Sequence, residues 1–224
     1  MKICMIGTGY VGLVSGTCFA DIGHQVYCVD KDLSKINQLN SGISPIYEPG
    51  LDELIKKNHK AKRLYFTSDL KKAITVSDII FICVGTPNIK GSLKVDLSFV
   101  FKCTKEILAI TKKKKIIVTK STVPIGTGDQ IENIIKKKKK LFSVISNPEF
   151  LREGEAIRDF RYPDRIIIGS NSKNEFKTMK KLYSPLINKG AKFFTTSRRG
   201  AELIKYAANA FLATKITFIN EIAN

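Results

Sequence analysis

The sequence predicts an α/β fold with a doubly wound, mostly parallel sheet, followed by the start of a long helix. Short apolar runs alternate with longer helical stretches almost to the end of the chain. Runs such as 79–84 are apolar without interruption, as expected of strands that helices cover on both faces. Such alternation is typical of parallel sheets whose strands are connected by helices.

The individual elements can be placed in order along the chain. Each predicted strand is a short apolar run, and each predicted helix is the longer stretch that leads to the next run. The predicted strands are 2–6, 25–29, 79–84, 116–119, 142–146, 165–168 and 192–194, with a further short strand at 65–66. The predicted helices are 11–22, 33–40, 51–58, 97–112, 128–139, 173–187 and the stretch from Gly200 onward.

A glycine-rich turn joins the first strand to the first helix. Gly7, Gly9 and Gly12 form a G-x-G-x-x-G pattern directly after the apolar run 2–6. Gly7 permits the tight turn, Gly9 lets the backbone approach a pyrophosphate, and Gly12 lets the helix pack closely on the strand. The free amides at the start of the helix would face the phosphates.

A carboxylate follows the second strand. Asp30 lies 18 residues past Gly12, close to the roughly 20 residues expected for the acid that binds the adenosine ribose. Strands, turn, helix and acid together predict a dinucleotide-binding, Rossmann-like domain, and the alternative is an ordinary turn that needs glycine for its geometry alone. Asp30 favours NAD over NADP, because a carboxylate repels a 2′-phosphate. Lys31 and Lys35 leave this open, since either cation could accept that phosphate, and Lys35 is otherwise a contact to NAD or a solvated lysine.

The chain is unusually basic. It has 38 Lys and Arg residues against 20 Asp and Glu, a net charge of +18. Much of the excess lies in 112–115 and 136–140, where helices are predicted to end, and cations are favourable there. We expect a solvated lysine-rich surface and no nucleic-acid partner, because aromatic interleaving, helix-turn-helix and zinc spacing are missing from the sequence. We also expect no metal site.

The five cysteines do not suggest a disulfide framework. Their number is odd, the sequence contains no C-x-x-C pattern, and all five lie in predicted strands or helices. This usage favours buried, reduced thiols and a cytoplasmic location. No apolar run reaches the roughly 18 residues of a transmembrane helix, so we expect no membrane partner.

Polar loops follow three predicted strands. The loops are 85–87, 121–124 and 147–154, and ligands of such sheets bind outside the carboxyl ends of the strands. The last helix adds Glu202, Lys205 and Asn209, whose spacing places them on one helical face. A lysine in so apolar a helix either belongs to a solvent-exposed polar face or serves at a site, as a base or as the partner of an oxyanion.

These segments together resemble the UDP-glucose/GDP-mannose dehydrogenase family. The matching segments are 7–14, 45–51, 84–87, 121–124, 147–154, 163–169 and 201–224. Segments 163–169 and 201–211 are more similar to members that act on UDP-glucose than to those that act on GDP-mannose. The resemblance implies oxidation of the C6 alcohol of UDP-glucose to a carboxylate with two NAD⁺.

The resemblance also implies roles by position. An oxyanion at the reacting carbon needs cations and hydrogen-bond donors aimed at it, which Lys205 and Asn209 would supply. Thr122 and Glu149 would position or activate water. The residues implied to line the sugar and diphosphate are Glu149, Phe150, Leu151 and Arg152, with Lys205 and Asn209. The residues implied to contact NAD are Gly7, Gly9, Tyr10, Val11, Gly12, Asp30, Lys35, Thr86, Ser121 and Glu153.

One part of the family pattern is missing. The nucleophilic cysteine of the family lies in a Gly-Gly-Ser-Cys-Phe-Pro-Lys-Asp motif, and none of the five cysteines has that setting. We therefore expect the N-terminal part of a longer, homo-oligomeric enzyme, with an NAD-binding domain at 1–196 and the start of a central helix at 197–224. The alternatives are a related enzyme acting on UDP-N-acetylmannosamine or GDP-mannose, and a non-catalytic NAD-binding fragment.

Overall fold

The computed structural model describes residues 1–92, 94–138 and 140–223. Within these residues eight strands form one sheet in the order β3-β2-β1-β4-β5-β6-β7-β8. All neighbouring strands are parallel except β6 and β7, which meet antiparallel. This confirms the doubly wound, mostly parallel sheet. The strands are β1 Lys2–Ile6, β2 Gln25–Val29, β3 Leu64–Thr67, β4 Ile79–Ile82, β5 Lys115–Thr119, β6 Phe142–Ser146, β7 Arg165–Gly169 and β8 Lys192–Thr196.

The helices connect these strands and cover the sheet. The last predicted residue of helix 128–139, Lys139, and the chain end at Asn224 lie outside the described residues. A 3₁₀ turn at Lys136–Lys138 follows the sixth helix. The helices are α1 Tyr10–Asp21, α2 Leu33–Asn40, α3 Leu51–Lys60, α4 Leu70–Val76, α5 Ser98–Ile110, α6 Thr127–Ile135, α7 Ala156–Arg161, α8 Lys173–Leu182, α9 Ser184–Ile187 and α10 Arg198–Ala223.

The structure differs from the prediction at three helices. The short helices α4 and α7 were not predicted, although the Asp69 carboxylate caps α4 by accepting a hydrogen bond from the Lys72 amide at 2.8 Å. The predicted helix 173–187 is interrupted at Tyr183. Pro185 has no N–H to donate and its ring crowds the preceding turn, which favours a break in the helix here.

Apolar side chains fill both faces of the sheet. Along β1, Ile3 and Met5 belong to one core and Cys4 and Ile6 to the other, as the alternation of a strand requires. Phe19 of α1 lies in the first core, with its ring centroid 5.4 Å from that of Phe81. The five cysteines are all free and buried, as their placement in strands and helices predicts.

The carboxyl ends of β1, β4, β5 and β6 bring their following loops to one edge, which we call the carboxyl edge. Helix α10 packs on β6, β7 and α6 through its first two turns, and its residues from Asn209 onward are exposed. Several exposed residues of this second part are large and apolar, namely Phe211, Leu212, Ile216, Phe218, Ile219 and Ile222. A search of the described helices finds none with the length and apolarity needed to cross a membrane.

Candidate functional site

The glycine turn leaves the N-terminus of α1 open. Gly7 has φ +101°, and a Cβ there would lie 2.7 Å from the Cys83 carbonyl oxygen. A Cβ on Gly12 would lie 2.0 Å from the Gly7 carbonyl oxygen, so helix and strand are packed too closely for a side chain. At Gly9, which precedes α1, a Cβ would meet nothing within 4 Å. The first and third glycines therefore serve packing, whereas the second borders free space at the helix start.

Asp30 lies beside this turn. Its Oδ2 accepts hydrogen bonds from the Thr8 amide at 2.9 Å and the Thr8 hydroxyl at 2.7 Å, and its Oδ1 accepts one from the Asp32 amide at 3.1 Å. Burial alone would raise the pKa of Asp30, but these hydrogen bonds and the positive charge of Lys35 outweigh it and lower that pKa. The group is therefore a carboxylate at neutral pH, with Oδ1 able to accept a further donor.

The loops after β4 and β5 are tied together at the carboxyl edge. The Thr86 hydroxyl donates to the Thr122 carbonyl oxygen at 2.8 Å. The Ser121 hydroxyl donates to the Val84 carbonyl oxygen at 2.7 Å. Three predicted site residues, Thr86, Ser121 and Thr122, are thus held next to one another by hydrogen bonds to the backbone.

A buried carboxylate that the sequence did not single out connects the glycine turn to the loop after β6. Glu48 is 6% exposed and accepts hydrogen bonds from the Tyr10 hydroxyl, from the Gly154 amide at 2.9 Å and from the Ile157 amide at 3.2 Å. Burial and the hydrogen bond to Glu48 raise the pKa of Tyr10 to about 12. The predicted cofactor residue Tyr10 therefore uses its hydroxyl to hold the loop that carries Glu153.

The loop after β6 forms an ion pair with α10. The Glu149 carboxylate accepts from the Lys205 ammonium at 3.0 Å, and their side chains are 10% and 8% exposed. Glu149 also accepts from the Leu151 amide at 2.5 Å. The Phe150 ring lies beside Lys205, whose ammonium is 5.4 Å from the ring centroid, and beside the Arg165 guanidinium at 4.5 Å. The ion pair between Glu149 and Lys205 brings together residues that lie 56 positions apart in the chain.

A cavity of about 600 Å³ opens beside this ion pair, and we call it the Glu149 pocket. Of the six residues predicted to line the sugar and diphosphate, the four at 149–152 form part of its wall, whereas Lys205 and Asn209 do not. Arg152 lies there with its guanidinium bonded twice to the Asp159 carboxylate, at 2.7 and 3.1 Å. The lining residues are Lys120, Asn147, Pro148, Glu149, Phe150, Leu151, Arg152, Arg158, Asp159, Phe160, Tyr162, Pro163, Asp164, Arg165, Ile166, Tyr183 and Leu186.

The predicted polar face of the last helix is divided by the fold. Lys205 reaches Glu149, whereas Asn209, one turn further on, is exposed, and neither residue is part of the pocket wall. Glu202 turns to α6, where it accepts from the Gly126 amide at 2.6 Å, the Gly128 amide at 2.8 Å and the Ser146 hydroxyl at 3.0 Å. Glu202 therefore anchors α10 to the start of α6.

Lys120 is a second residue that sequence reasoning missed. It directly follows β5, is 4% exposed and lines the Glu149 pocket. Burial lowers its pKa, and the nearby Glu149 and Cys83 oppose that effect. Its place between a strand end and the predicted site residue Ser121 is the signal that could have found it.

Two family models match the chain. Residues 1–187 match the NAD binding domain of the UDP-glucose/GDP-mannose dehydrogenase family, and residues 199–224 match the central domain of the same family. The UDP-glucose 6-dehydrogenase of Rhizobium meliloti is 56% identical over the whole chain, which covers 52% of that relative. The enzyme TuaD of Bacillus subtilis, also a UDP-glucose 6-dehydrogenase, is 52% identical, with 48% of it covered. The chain thus spans about half the length of these relatives.

Solved structures agree with the fold. A GDP-mannose dehydrogenase from Pseudomonas aeruginosa superposes with a TM-score of 0.91 at 38% identity, over 99% of this chain and 52% of the other. A UDP-glucose dehydrogenase from the archaeon Pyrobaculum islandicum superposes with a TM-score of 0.92 at 37% identity, over 98% and 51%.

Proposed function

The chain belongs to the UDP-glucose/GDP-mannose dehydrogenase family, and from that premise we propose that it is the NAD-binding part of an enzyme that oxidises UDP-glucose to UDP-glucuronate. The observation that carries the proposal is the buried ion pair between Lys205 and Glu149, of which Glu149 lines a 600 Å³ pocket. The contacts of Glu48 join the loop that forms this wall to the glycine turn. A cofactor at the turn and a sugar in the pocket would therefore meet at the carboxyl edge.

We assign the cofactor to the open side of the glycine turn. The free space at Gly9 fits a pyrophosphate against the first amides of α1, and Asp30 Oδ1 fits a ribose hydroxyl. Bound NAD⁺ would accept the hydride that leaves C6. The remaining NAD contacts that we propose are those of Tyr10, Val11, Lys35, Thr86, Ser121 and Glu153, in addition to the glycines Gly7 and Gly12.

Next to the pocket, Lys205, which is paired with the lining residue Glu149, provides a donor for the substrate oxygen. Each oxidation transfers a hydride from C6 to NAD⁺ and releases the proton of the C6 hydroxyl to water, and the oxygen carries negative charge when the proton leaves ahead of the hydride. We propose that Lys205 stabilises this charge and that Glu149 and Thr122 orient water for the second oxidation. Phe150, Leu151 and Arg152 would border the sugar and diphosphate, and Asn209 would join them where the longer protein covers α10.

The isolated chain is expected to bind NAD⁺ more tightly than NADP⁺. Because a hydrogen bond to a charged group contributes about 1.5–3 kcal/mol, Asp30→Ala should weaken NAD⁺ binding by about 10–100-fold. Titration calorimetry with both cofactors measures this, with Lys31→Ala as the matched control. Asp30→Asn keeps the shape of the side chain and should reduce the discrimination against NADP⁺. Equal affinities for both cofactors in the unaltered chain would show that Asp30 does not bind the ribose.

The substrate is tested on the longer protein, by offering UDP-glucose, UDP-N-acetylmannosamine and GDP-mannose separately with NAD⁺. We expect two NADH for each UDP-glucose consumed and much slower turnover of the other two sugars. The similarity to the Pseudomonas aeruginosa GDP-mannose dehydrogenase is the reason to include that sugar. Preferential turnover of GDP-mannose or UDP-N-acetylmannosamine would assign the chain to that relative's reaction. Binding of NAD⁺ without turnover of any sugar would favour a non-catalytic module.

We also propose a domain division, an oligomeric state and a cellular location for the protein. We divide the chain into an NAD-binding domain, 1–196, and the start of a central helix, 197–224, and the family models and the start of α10 at Arg198 support this. The exposed apolar residues of α10 are consistent with burial in a homo-oligomer of the longer protein. Five buried free thiols are consistent with a cytoplasmic enzyme, whose uronate product would serve polysaccharide biosynthesis.

A further inference from the structure

Glu48 is a buried carboxylate whose two oxygens accept hydrogen bonds from three donors. Its Oε2 accepts from the Tyr10 hydroxyl and from the Gly154 amide at 2.9 Å, and its Oε1 accepts from the Ile157 amide at 3.2 Å. Each donor needs a lone pair, which a carboxylate offers on both oxygens. A glutamine has the same shape, but its NH₂ group would face at least one of these donors. The position therefore requires a carboxylate and not merely a polar side chain of this size.

The three donors belong to different parts of the fold. Tyr10 is the first residue of α1 and directly follows the glycine turn, Gly154 ends the loop after β6, and Ile157 lies in the first turn of α7. The amides of that turn have no partner within the helix, and Glu155, which precedes α7, makes no capping hydrogen bond with its side chain. Glu48 therefore fixes the start of α7 and the end of the loop to the start of α1.

The loop that is fixed in this way borders both proposed ligands. Residues 149–152 line the Glu149 pocket, and the next residue, Glu153, is a proposed NAD contact. Gly154 follows with φ +86°, in the left-handed region that favours glycine. The hydrogen bond from Gly154 to Glu48 is therefore the point at which the wall of the sugar pocket is held to the glycine turn.

Hydride transfer depends on the spacing between these two parts of the site. The reacting atoms must lie about 3–3.5 Å apart, and a displacement of about 1 Å can lower the rate about 10²-fold. We propose that Glu48 is a positioning residue, which holds the loop 149–154 at the distance from the glycine turn that brings C6 of the sugar to the nicotinamide. The effect on turnover rests on the proposed function. The fixing of the loop by Glu48 does not, and it is measured in the 224-residue chain without a substrate.

Asp21 provides a matched control, because it also joins α1 to α7. It is the last residue of α1, and its Oδ2 accepts from the guanidinium of Arg161, the last residue of α7, at 2.7 Å. Its Oδ1 accepts from the Lys57 ammonium at 2.7 Å, and its side chain is 11% exposed. Glu48 and Asp21 thus link the same two helices at opposite ends. Asp21→Asn removes a charge in the same way as Glu48→Gln but leaves the contacts of the loop in place.

The first measurement is hydrogen–deuterium exchange in the 224-residue chain, followed by mass spectrometry of peptides that cover 149–157. We expect Glu48→Gln to raise the exchange rate of this segment by about 10-fold or more, because the loss of a hydrogen bond to a charged group favours local opening by about that factor. The strands β1, β4 and β5 should keep their protection. Asp21→Asn should lower the unfolding temperature and leave the exchange of 149–157 nearly unchanged.

Gly154→Ala tests the same contact from the side of the loop and keeps the buried carboxylate. The left-handed φ at this position is unfavourable for alanine, whereas an added Cβ would meet nothing within 4 Å, so the strain is confined to the backbone of the loop. We expect faster exchange in 149–157 for this variant as well. It replaces Glu48→Gln if the latter chain does not fold.

The longer protein provides the second measurement. We expect Glu48→Gln to lower kcat with UDP-glucose by about 10²-fold, with a much smaller change in the KM for NAD⁺. A residue that only stabilised the fold would lower the unfolding temperature and leave kcat of the folded enzyme unchanged, as we expect of Asp21→Asn.

Unchanged exchange of 149–157 in the folded Glu48→Gln or Gly154→Ala chain would overturn the proposal, as would a kcat within a few-fold of the unaltered enzyme. An equal loss of kcat in Asp21→Asn would also overturn it, because the effect would then belong to the packing of α1 on α7 in general. If exchange rises in the variants but the unaltered longer protein oxidises no nucleotide sugar, the proposed function fails and the fixing of the loop by Glu48 stands.

Discussion

Replacing Lys205 with methionine in the longer protein is expected to lower kcat by about 10²–10³ and to leave NAD⁺ affinity nearly unchanged. The range is that of a lost oxyanion donor. In the structure the Lys205 ammonium lies 3.0 Å from the Glu149 carboxylate and 5.4 Å from the centroid of the Phe150 ring, and both of these partners line the Glu149 pocket. Steady-state kinetics with UDP-glucose, together with NAD⁺ titrations, measure both quantities.

The ion pair makes a stability control necessary. Removing one partner of a buried pair costs about 3–5 kcal/mol, so Lys205→Met should also lower the unfolding temperature. Lys205→Arg keeps a cation for Glu149 but moves the donor, because a guanidinium is larger and planar. It should therefore lower kcat at nearly normal stability. Lys177→Met, at an exposed position of α8, should change neither quantity. If kcat stays within a few-fold of the unaltered enzyme in Lys205→Met while unfolding shifts, the residue is structural.

The second large effect is expected at Glu202. Replacing it with alanine should lower the free energy of unfolding of the chain by about 3 kcal/mol, since hydrogen bonds to a charged group contribute about 1.5–3 kcal/mol each and neighbouring ones are not additive. The 3%-exposed carboxylate accepts from the Gly126 and Gly128 amides and from the Ser146 hydroxyl. All three donors would be left without this acceptor, and α10 would lose its anchor on α6.

Urea unfolding followed by circular dichroism measures this loss, because the chain has no tryptophan. Glu221→Ala removes an exposed carboxylate from the same helix and should change stability by less than about 0.5 kcal/mol. Folded Glu202→Ala should still bind NAD⁺, since Glu202 is separate from the glycine turn. A loss below about 1 kcal/mol would mean that water replaces the carboxylate at the start of α6.

Much of the fold could be predicted because a strand that helices cover on both faces is an uninterrupted apolar run in the sequence. The uninterrupted apolar run of β4 and the small-residue stretch of α1 identify these elements without reference to distant residues. The position of Asp30 beside the glycine turn could be predicted because the residue directly follows β2, 18 residues past Gly12. The short helix α7 could not be, since its Ile157 amide is held by Glu48, 109 residues earlier in the chain. The antiparallel meeting of β6 and β7 was equally hidden, because alternation of elements does not specify the direction of a strand.

The sequence by itself determined the α/β sheet, the glycine turn and the carboxylate after β2, since each depends on neighbours close in the chain. Only the tertiary structure decided which buried charges meet. It paired Lys205 with Glu149, turned Glu202 to α6 instead, buried Lys120 at the wall of the Glu149 pocket, and left Asn209 exposed. The physical reason is that helical periodicity gives only the direction in which a side chain points from the axis of its helix. A charge interaction depends on the distance between two segments, and that distance is set by tertiary packing.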